Sequence, residues 1–116
     1  MRYLMMTTET GDTGEWNPEQ AAAMGAFIEE LTRSGALLAT GGLDPHPKRI
    51  ASKDGKVTVT DGPFAEAKEQ VVGFALIDVR TEEEAVELSR RFWAVAGDGA
   101  GVIHRVFSPG DDMPTG

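Results

Sequence analysis

The residues from Val71 to Val79 form the most apolar run of the chain, and they constrain its fold more than any other stretch. The length of the run and its Val, Ile and Phe content favour a β-strand. Successive side chains of a strand point to opposite faces, and both alternating sets are apolar here. One set is Val71, Ala75, Ile77 and Val79 with Gly73, and the other is Val72, Phe74 and Leu76. Such a strand must be covered on both faces.

The composition limits the classes of protein that the chain can belong to. Its 116 residues favour a single domain, and 41% hydrophobic residues are enough for a core. A net charge of −8 repels phosphate backbones and therefore argues against nucleic-acid binding. No cysteine is present, which excludes disulfides, thiolate metal sites and a cysteine nucleophile. Because neither a signal peptide nor an apolar run of about 20 residues is found, we expect a cytoplasmic protein without membrane contact.

The first half of the chain predicts a strand followed by a helix. Residues 2–8 favour a strand that is also apolar on both faces. Asn17 is a good N-cap, Pro18 suits the first helical position, and Gly35 suits the stop after Ser34. The predicted helix carries one apolar stripe, at Met24, Phe27, Ile28 and Leu31.

The second half predicts the remaining elements. A short strand at 36–40 is followed by a glycine- and proline-rich loop at 41–47. Asp54-Gly55 is typical of a hairpin turn between strands at 48–53 and 57–60. Thr81 and Glu84 form a predicted capping box for a second helix, which ends at 97–101. Its apolar stripe is Ala85, Leu88, Phe92 and Val95, and a last strand at 102–107 precedes a tail.

The order of elements predicts an α+β fold of the ferredoxin-like β-α-β-β-α-β type with an inserted hairpin. We expect residues 1–108 to form the single domain and residues 109–116 a flexible tail. Two helices can cover only one face of the sheet, yet the first and the long central strands are apolar on both. We therefore expect a homodimer in which two sheets pack face to face.

A second feature of the sequence lies just before the apolar run. Residues 61–74 read Asp-Gly-Pro-Phe-Ala-Glu-Ala-Lys-Glu-Gln-Val-Val-Gly-Phe, and this stretch resembles the signature of the YCII-related family, in its DGPF-domain branch. The resemblance covers about residues 2–107. It implies a dimeric α+β barrel whose function is mostly unassigned. Some relatives are implicated in degrading chlorinated aromatics, and the genes often lie beside those of extracytoplasmic-function sigma factors. The chain departs from the family at Ala67 and at His104-Arg105.

The turn that begins at Asp61 is the predicted site. Asp61 either caps a short helix at 64–69, or acts as a general base at the mouth of a cleft. Glu66 and Glu69 are neighbours on one helical turn, so they form either a solvated face or an acid pair with a shifted pKa. Lys68 would add an ammonium group to the ligand site. Phe64 is expected in the core, the dimer interface or the ligand site.

The two histidines and one tryptophan complete the predicted site. His46 lies between two prolines in a loop and can serve as a proton donor or be merely exposed. His104 shares its strand face with Val102 and Val106, which favours a core histidine over a catalytic acid. Trp16 precedes the first helix and can stack on a ligand or staple the helix. The histidine spacing fits no metal motif, so we expect no metal and no cofactor.

Two functional hypotheses remain open at this point. In the first, the protein is an acid/base enzyme acting on a small polar or aromatic molecule in the dimer cleft. Asp61 would be the base and His46 or His104 the acid, with Glu66, Lys68, Phe64 and Trp16 around the ligand. In the second, the protein is a non-catalytic, small-molecule-binding or regulatory dimer linked to sigma-factor signalling.

Overall fold

The computed structural model describes residues 1–10, 16–44, 46–61 and 71–112. These residues form two helices and six strands. In chain order they are β1 (Arg2–Thr10), α1 (Pro18–Ser34), β2 (Leu37–Gly42), β3 (Lys48–Lys53), β4 (Lys56–Asp61), β5 (Gly73–Asp78), α2 (Glu82–Ala96) and β6 (Gly99–Val106). The α+β class and the predicted order of elements are confirmed.

Four of the strands form one antiparallel sheet in the order β2-β5-β1-β6. The first strand lies between β5 and β6, with Tyr3 opposite Ile77 on one side and Arg105 on the other. This order is the ferredoxin-like one, with the β3–β4 hairpin inserted as a separate two-stranded sheet. The predicted fold is thereby confirmed. The strand β5 is shorter than the apolar run, since it leaves out Val71 and Val72 at the start and Val79 at the end.

Local capping signals define the first helix. Asn17 Oδ1 accepts from the Gln20 N–H at 2.8 Å, and Gln20 Oε1 accepts from the Asn17 N–H at 3.3 Å. Gly35 ends the helix with φ of 83°, in the left-handed region that favours glycine. The predicted boundaries of α1 are therefore confirmed at both ends.

The second helix begins as predicted at Thr81, whose side chain accepts from the Glu84 N–H at 3.1 Å. The Glu84 carboxylate accepts from the N–H of Arg80 rather than that of Thr81, so the reciprocal half of the box is displaced by one residue. The buried core lies between the helices and one face of the sheet. Its residues are Tyr3, Leu31, Ile77, Val79, Ala85 and Leu88.

Neither helix of the described residues lies on the opposite face of the sheet. We call it the helix-free face, and it consists of the side chains that alternate with the buried ones: Leu4, Met6, Phe74, Leu76, Val102, His104 and Val106. Most of these side chains are apolar and half-buried, while Val102 is 46% exposed. Within the described residues, one sheet face stays uncovered, as predicted.

Two strands extend into stretches that were predicted as loops. β2 continues through Gly41 and Gly42, which pair with Phe74 and Gly73. A Cβ atom on Gly41 would lie 3.2 Å from the Phe74 ring, so the glycine lets the ring lie close to β2. Likewise, β6 begins at Gly99 because its backbone pairs with the end of β1. In both cases pairing with a distant strand overrides the local preference of glycine for loops.

The β3–β4 hairpin forms as predicted around Asp54 and Gly55. Both turn residues have positive φ, 51° and 78°, as a type I′ turn requires. Ile50 lies opposite Val59, and Lys48 opposite Asp61. In the described part of the chain, neither helix is long and apolar enough to span a membrane.

Candidate functional site

A cavity of about 820 Å³ lies between the two helices and the sheet. Its floor is formed by strand residues such as Met5, Ala75 and Ile103, and its roof by residues of both helices. The apolar stripes that were predicted as core residues also line it, at Met24, Phe27, Ile28, Leu31, Leu88 and Phe92. The helices therefore pack against the sheet at one end and separate from it enough to leave a binding volume.

Aromatic side chains are prominent in the walls of the cavity. Among the described residues on the helix side of the sheet they are Trp16, Phe27, Phe92 and Trp93. Phe92 and Trp93 meet edge to face, with ring centroids 5.0 Å apart and an interplanar angle of 82°. Aromatic surfaces of this kind favour a planar, apolar ligand, which can stack or make edge contacts.

Three hydroxyl groups of the described residues line the cavity, and each donates its proton to the backbone. Thr40 donates to the Phe74 carbonyl at 2.9 Å, and Ser89 to that of Ala85 at 3.0 Å. Thr7 makes a longer bond of 3.4 Å to the Gly73 carbonyl. Because their protons are used, these oxygens have only lone pairs left for a ligand. The hydroxyls thus present hydrogen-bond acceptors to the cavity.

Gln20 brings an amide to the same cavity, and the fold holds it in place. Its Nε2 donates to the Val95 carbonyl at 3.5 Å, linking α1 to α2, and its Oε1 belongs to the α1 cap. Among the other described lining residues, Trp16 and Trp93 have an indole N–H to donate. From the described residues, a ligand in the cavity therefore meets several acceptors and few donors.

Asp98 is the one charged side chain among the described residues that line the cavity. It lies just beyond the C-terminal end of α2 and is exposed, so it lies at the mouth. Within the described residues it makes no ion pair. The last turn of α2 holds no basic residue, so the negative end of the helix dipole adds to the carboxylate. The mouth of the cavity consequently has a negative potential.

The predicted catalytic residues Asp61 and His46 lie outside the cavity lining. Asp61 ends β4 and pairs with Lys48 at 2.8 Å, with both side chains largely exposed. His46 is exposed as well, and its backbone N–H donates to the Asp44 carboxylate at 2.8 Å. A catalytic role for either residue stays a prediction.

His104 and Trp16 occupy different environments. His104 is exposed on the helix-free face, in a row with Leu4 and Leu76, so its interpretation as a core histidine is wrong for the single chain. Trp16 is 43% exposed and lines the cavity, and its predicted contact with a ligand stays a prediction. Phe64, Glu66 and Lys68 lie outside the described residues, as does the predicted short helix.

Sequence reasoning missed the polar groups of the cavity. Gln20, Ser89 and Asp98 come from α1, α2 and the segment before β6, and no local motif connects them. Asp98 between two glycines has the composition of a loop, which concealed its place at the cavity mouth. Within the described ranges no three His, Asp or Glu side chains converge as a metal site.

Comparison with known proteins places the chain in a family. The sequence model of the YCII-related domain matches residues 1–107. The chain belongs to the YCII-related family. An uncharacterised protein of Rhizobium meliloti is 53% identical over 36 residues, which are 31% of this chain and 29% of that protein. The chain thus aligns with less than a third of that curated relative.

A solved structure shows the same fold. It is 5-chloro-2-hydroxyhydroquinone dehydrochlorinase, TftG, of Burkholderia phenoliruptrix, in complex with 2,5-dihydroxybenzoquinone. The TM-score is 0.58 at 15% sequence identity, over 97% of this chain and 100% of that one. At this identity the likeness establishes the fold.

Proposed function

We propose that this YCII-related protein binds a small hydroxylated aromatic molecule, neutral or cationic, in the cavity between its helices and its sheet. The observation that carries the proposal is the cavity of about 820 Å³ with four aromatic side chains in the described part of its walls. Ligand sites in proteins have volumes of about 300–1,000 Å³ and combine apolar walls with a few polar groups. The cavity matches that description in size and in chemistry.

The acceptors in the cavity specify the polar groups of the ligand. The oxygens of Thr7, Thr40 and Ser89 can accept from the ligand but not donate to it, since their protons are bound by backbone carbonyls. A phenolic hydroxyl suits them because it donates one hydrogen bond. The same hydroxyl can also accept from an indole N–H. An aromatic ring with hydroxyl substituents satisfies both requirements.

The charge at the mouth specifies the charge of the ligand. Asp98 and the C-terminal end of α2 are negative, and the chain carries a net charge of −8. No basic side chain lies among the described lining residues to hold a carboxylate or sulfonate. An anionic aromatic is therefore repelled, whereas an amine is attracted by Asp98 and by the faces of the aromatic rings.

A matched set of phenols tests this proposal by calorimetric titration. 4-Ethylphenol is neutral, tyramine carries an ammonium and 4-hydroxyphenylacetate carries a carboxylate on nearly the same skeleton. We expect the first two to bind and the third to bind about tenfold more weakly than tyramine or worse. In Asp98→Asn the difference between tyramine and 4-hydroxyphenylacetate should shrink. Preference for the carboxylate, or no binding of any of the three, would contradict the proposal.

Acid/base catalysis in the same cavity is the second candidate function. It is supported by the shared fold with TftG, which its name describes as a dehydrochlorinase of a chlorinated hydroxyhydroquinone. Asp98 is available there as a base, and the sequence-predicted Asp61, His46 and His104 are further candidates. Release of chloride from 5-chloro-2-hydroxyhydroquinone is the assay. Binding without chloride release would favour the non-catalytic, regulatory alternative.

We further propose that the protein is a homodimer, with the helix-free faces of two copies packed together. The support is the apolar character of that face, which lies on the central strands β1 and β5 as well as on β6. Covering it removes apolar surface from water at roughly 25 cal/mol per Å². A cytoplasmic location and the absence of a metal or cofactor stay predictions from the sequence.

A further inference from the structure

The β3–β4 hairpin has one apolar face that is in open solvent. Pairing in the hairpin places Ile50, Val57 and Val59 on that face, and we call these three side chains the hairpin stripe. They are 69%, 63% and 59% exposed, more than any other large hydrophobic side chain in the described part of the chain. Nothing within the described chain covers this surface.

A hairpin of two strands needs such cover. Two isolated strands are at best marginally stable in water, and packing against a further element is what makes a hairpin persist. The hairpin does not join the four-stranded sheet, and its cross-strand ion pair, Lys48 with Asp61, is exposed. An ion pair of that kind contributes less than about 1 kcal/mol. Since no described residue of the protomer supplies that stabilisation, a partner molecule is the source to consider.

The charge of the hairpin differs from that of the rest of the chain. Residues 48–61 hold four of the eleven basic and two of the nineteen acidic residues, a net charge of +2. The remainder of the chain carries −10. The face opposite the stripe holds Arg49, Lys53 and Lys56. The hairpin is thus an apolar and basic element on an acidic body, and its natural electrostatic complement is another acidic body.

We propose that the hairpin is an arm that packs its stripe against the body of a second copy of this chain. This contact is separate from the pairing of the helix-free faces, because the hairpin is separate from that sheet. An anionic membrane or a nucleic acid would also attract the basic residues. A nucleic acid offers no apolar surface to cover the stripe, and a membrane is distinguished by the vesicle test below. A second copy supplies a protein surface together with a −10 remainder, opposite in charge to the +2 hairpin.

A thiol label tests the arm directly, because the chain has no native cysteine. Ser52 lies on the stripe face opposite Val57, and Thr58 lies on the other face opposite Ala51. Ser52→Cys and Thr58→Cys, each labelled with acrylodan, form a matched pair of exposed small side chains. We expect the emission of the label at 52 to shift to the blue as the protein concentration rises from nanomolar to micromolar. The label at 58 should respond less.

The oligomeric state supplies an independent measurement. Val57→Thr with Val59→Thr keeps side-chain shape and strand propensity but makes the stripe polar. We expect the dissociation constant between copies, measured by sedimentation, to rise about tenfold or more. Thr58→Ser with Thr60→Ser, on the opposite face, is the control and should leave it unchanged.

Three results would overturn the arm. The first is a red-shifted label at 52 in protein that is demonstrably oligomeric. The second is an unchanged dissociation constant in the Val57 and Val59 variant. The third is a blue shift that appears only when vesicles of anionic phospholipid are added, which would assign the stripe to a membrane surface. A failed ligand titration would contradict the phenol-binding cavity but not the hairpin arm, so the two proposals can be tested separately.

Discussion

A Cβ atom on Gly101 would overlap the carbonyl oxygen of Met6 on the neighbouring strand. It would also lie 3.3 Å from the Met6 carbonyl carbon and 3.3 Å from Thr7 Cα. These are backbone atoms, so no side-chain rotation can relieve the contact. The close approach occurs next to the irregularity in the β1–β6 register between Thr7 and Glu9. Glycine at 101 therefore allows β6 to lie against this end of β1.

Gly101→Ala should destabilise the protein by about 2 kcal/mol, because β6 must move away from β1 or the register must change. The free energy of unfolding in urea is the measurement. Gly101 also lines the cavity, so the variant should bind the phenol probes more weakly.

Gly25→Ala is the matched control for that substitution. Gly25 lies within α1, and a Cβ atom there would have nothing within 4 Å. Alanine is better than glycine in a helix, so the variant should be more stable by about 0.5–1 kcal/mol. If both variants had the same stability as the natural chain, the proximity of Gly101 to Met6 would not be a constraint.

The cap of the first helix gives a second prediction. Asn17→Ala removes the acceptor that the Gln20 N–H uses, and should lower the free energy of unfolding by about 1 kcal/mol. Asn17→Asp keeps that acceptor and should be within a few tenths of the natural chain. Thermal unfolding of the three proteins decides it, and a loss as large in Asn17→Asp as in Asn17→Ala would show that the acceptor for the Gln20 N–H is not what stabilises the helix.

Gly101 and the Asn17 cap also show how far the sequence predicts the structure. The Asn17 cap, the Gly35 stop and the Asp54-Gly55 turn depend on neighbouring residues, so local rules predicted them correctly. Gly41 and Gly101 were predicted in loops but lie in strands, because their partners, Phe74 and Thr7, are distant in sequence. Rules based on neighbouring residues contain no information about hydrogen bonds to a strand that is distant in sequence.

The candidate site was less accessible than the fold. Apolar stripes on α1 and α2 predicted core residues correctly in Met24 and Leu88, but the same stripes also line a cavity. Whether a stripe packs fully or leaves a volume depends on helix placement, which periodicity does not determine. Asp98 reaches the mouth only through the tertiary fold. The sequence analysis predicted the site at Asp61 because this residue lies in a distinctive motif.

Asp61→Asn distinguishes the cavity from the site that the sequence predicts at the Asp61 turn. The Asp61–Lys48 pair is exposed, so the substitution should change the free energy of unfolding by less than about 0.5 kcal/mol. If the phenol probes bind in the cavity alone, their affinities should be unchanged, because Asp61 is not among the lining residues. Loss of binding at unchanged stability would instead support the site predicted from the sequence, and Asp98→Asn is the companion variant.

The proposed dimer is tested at the centre of the helix-free face. His104 is exposed in the single chain, in a row with Leu4 and Leu76, so His104→Glu should leave the isolated protomer folded. In a face-to-face dimer the two new carboxylates would be removed from water, which costs several kcal/mol per charge. We expect the variant to sediment as a monomer at concentrations where the natural chain is dimeric.

Arg105→Gln lowers the net charge by a similar amount on the other face of β6, opposite Tyr3, and should remain dimeric. Dimers of equal stability in both variants would place the interface elsewhere on the protein.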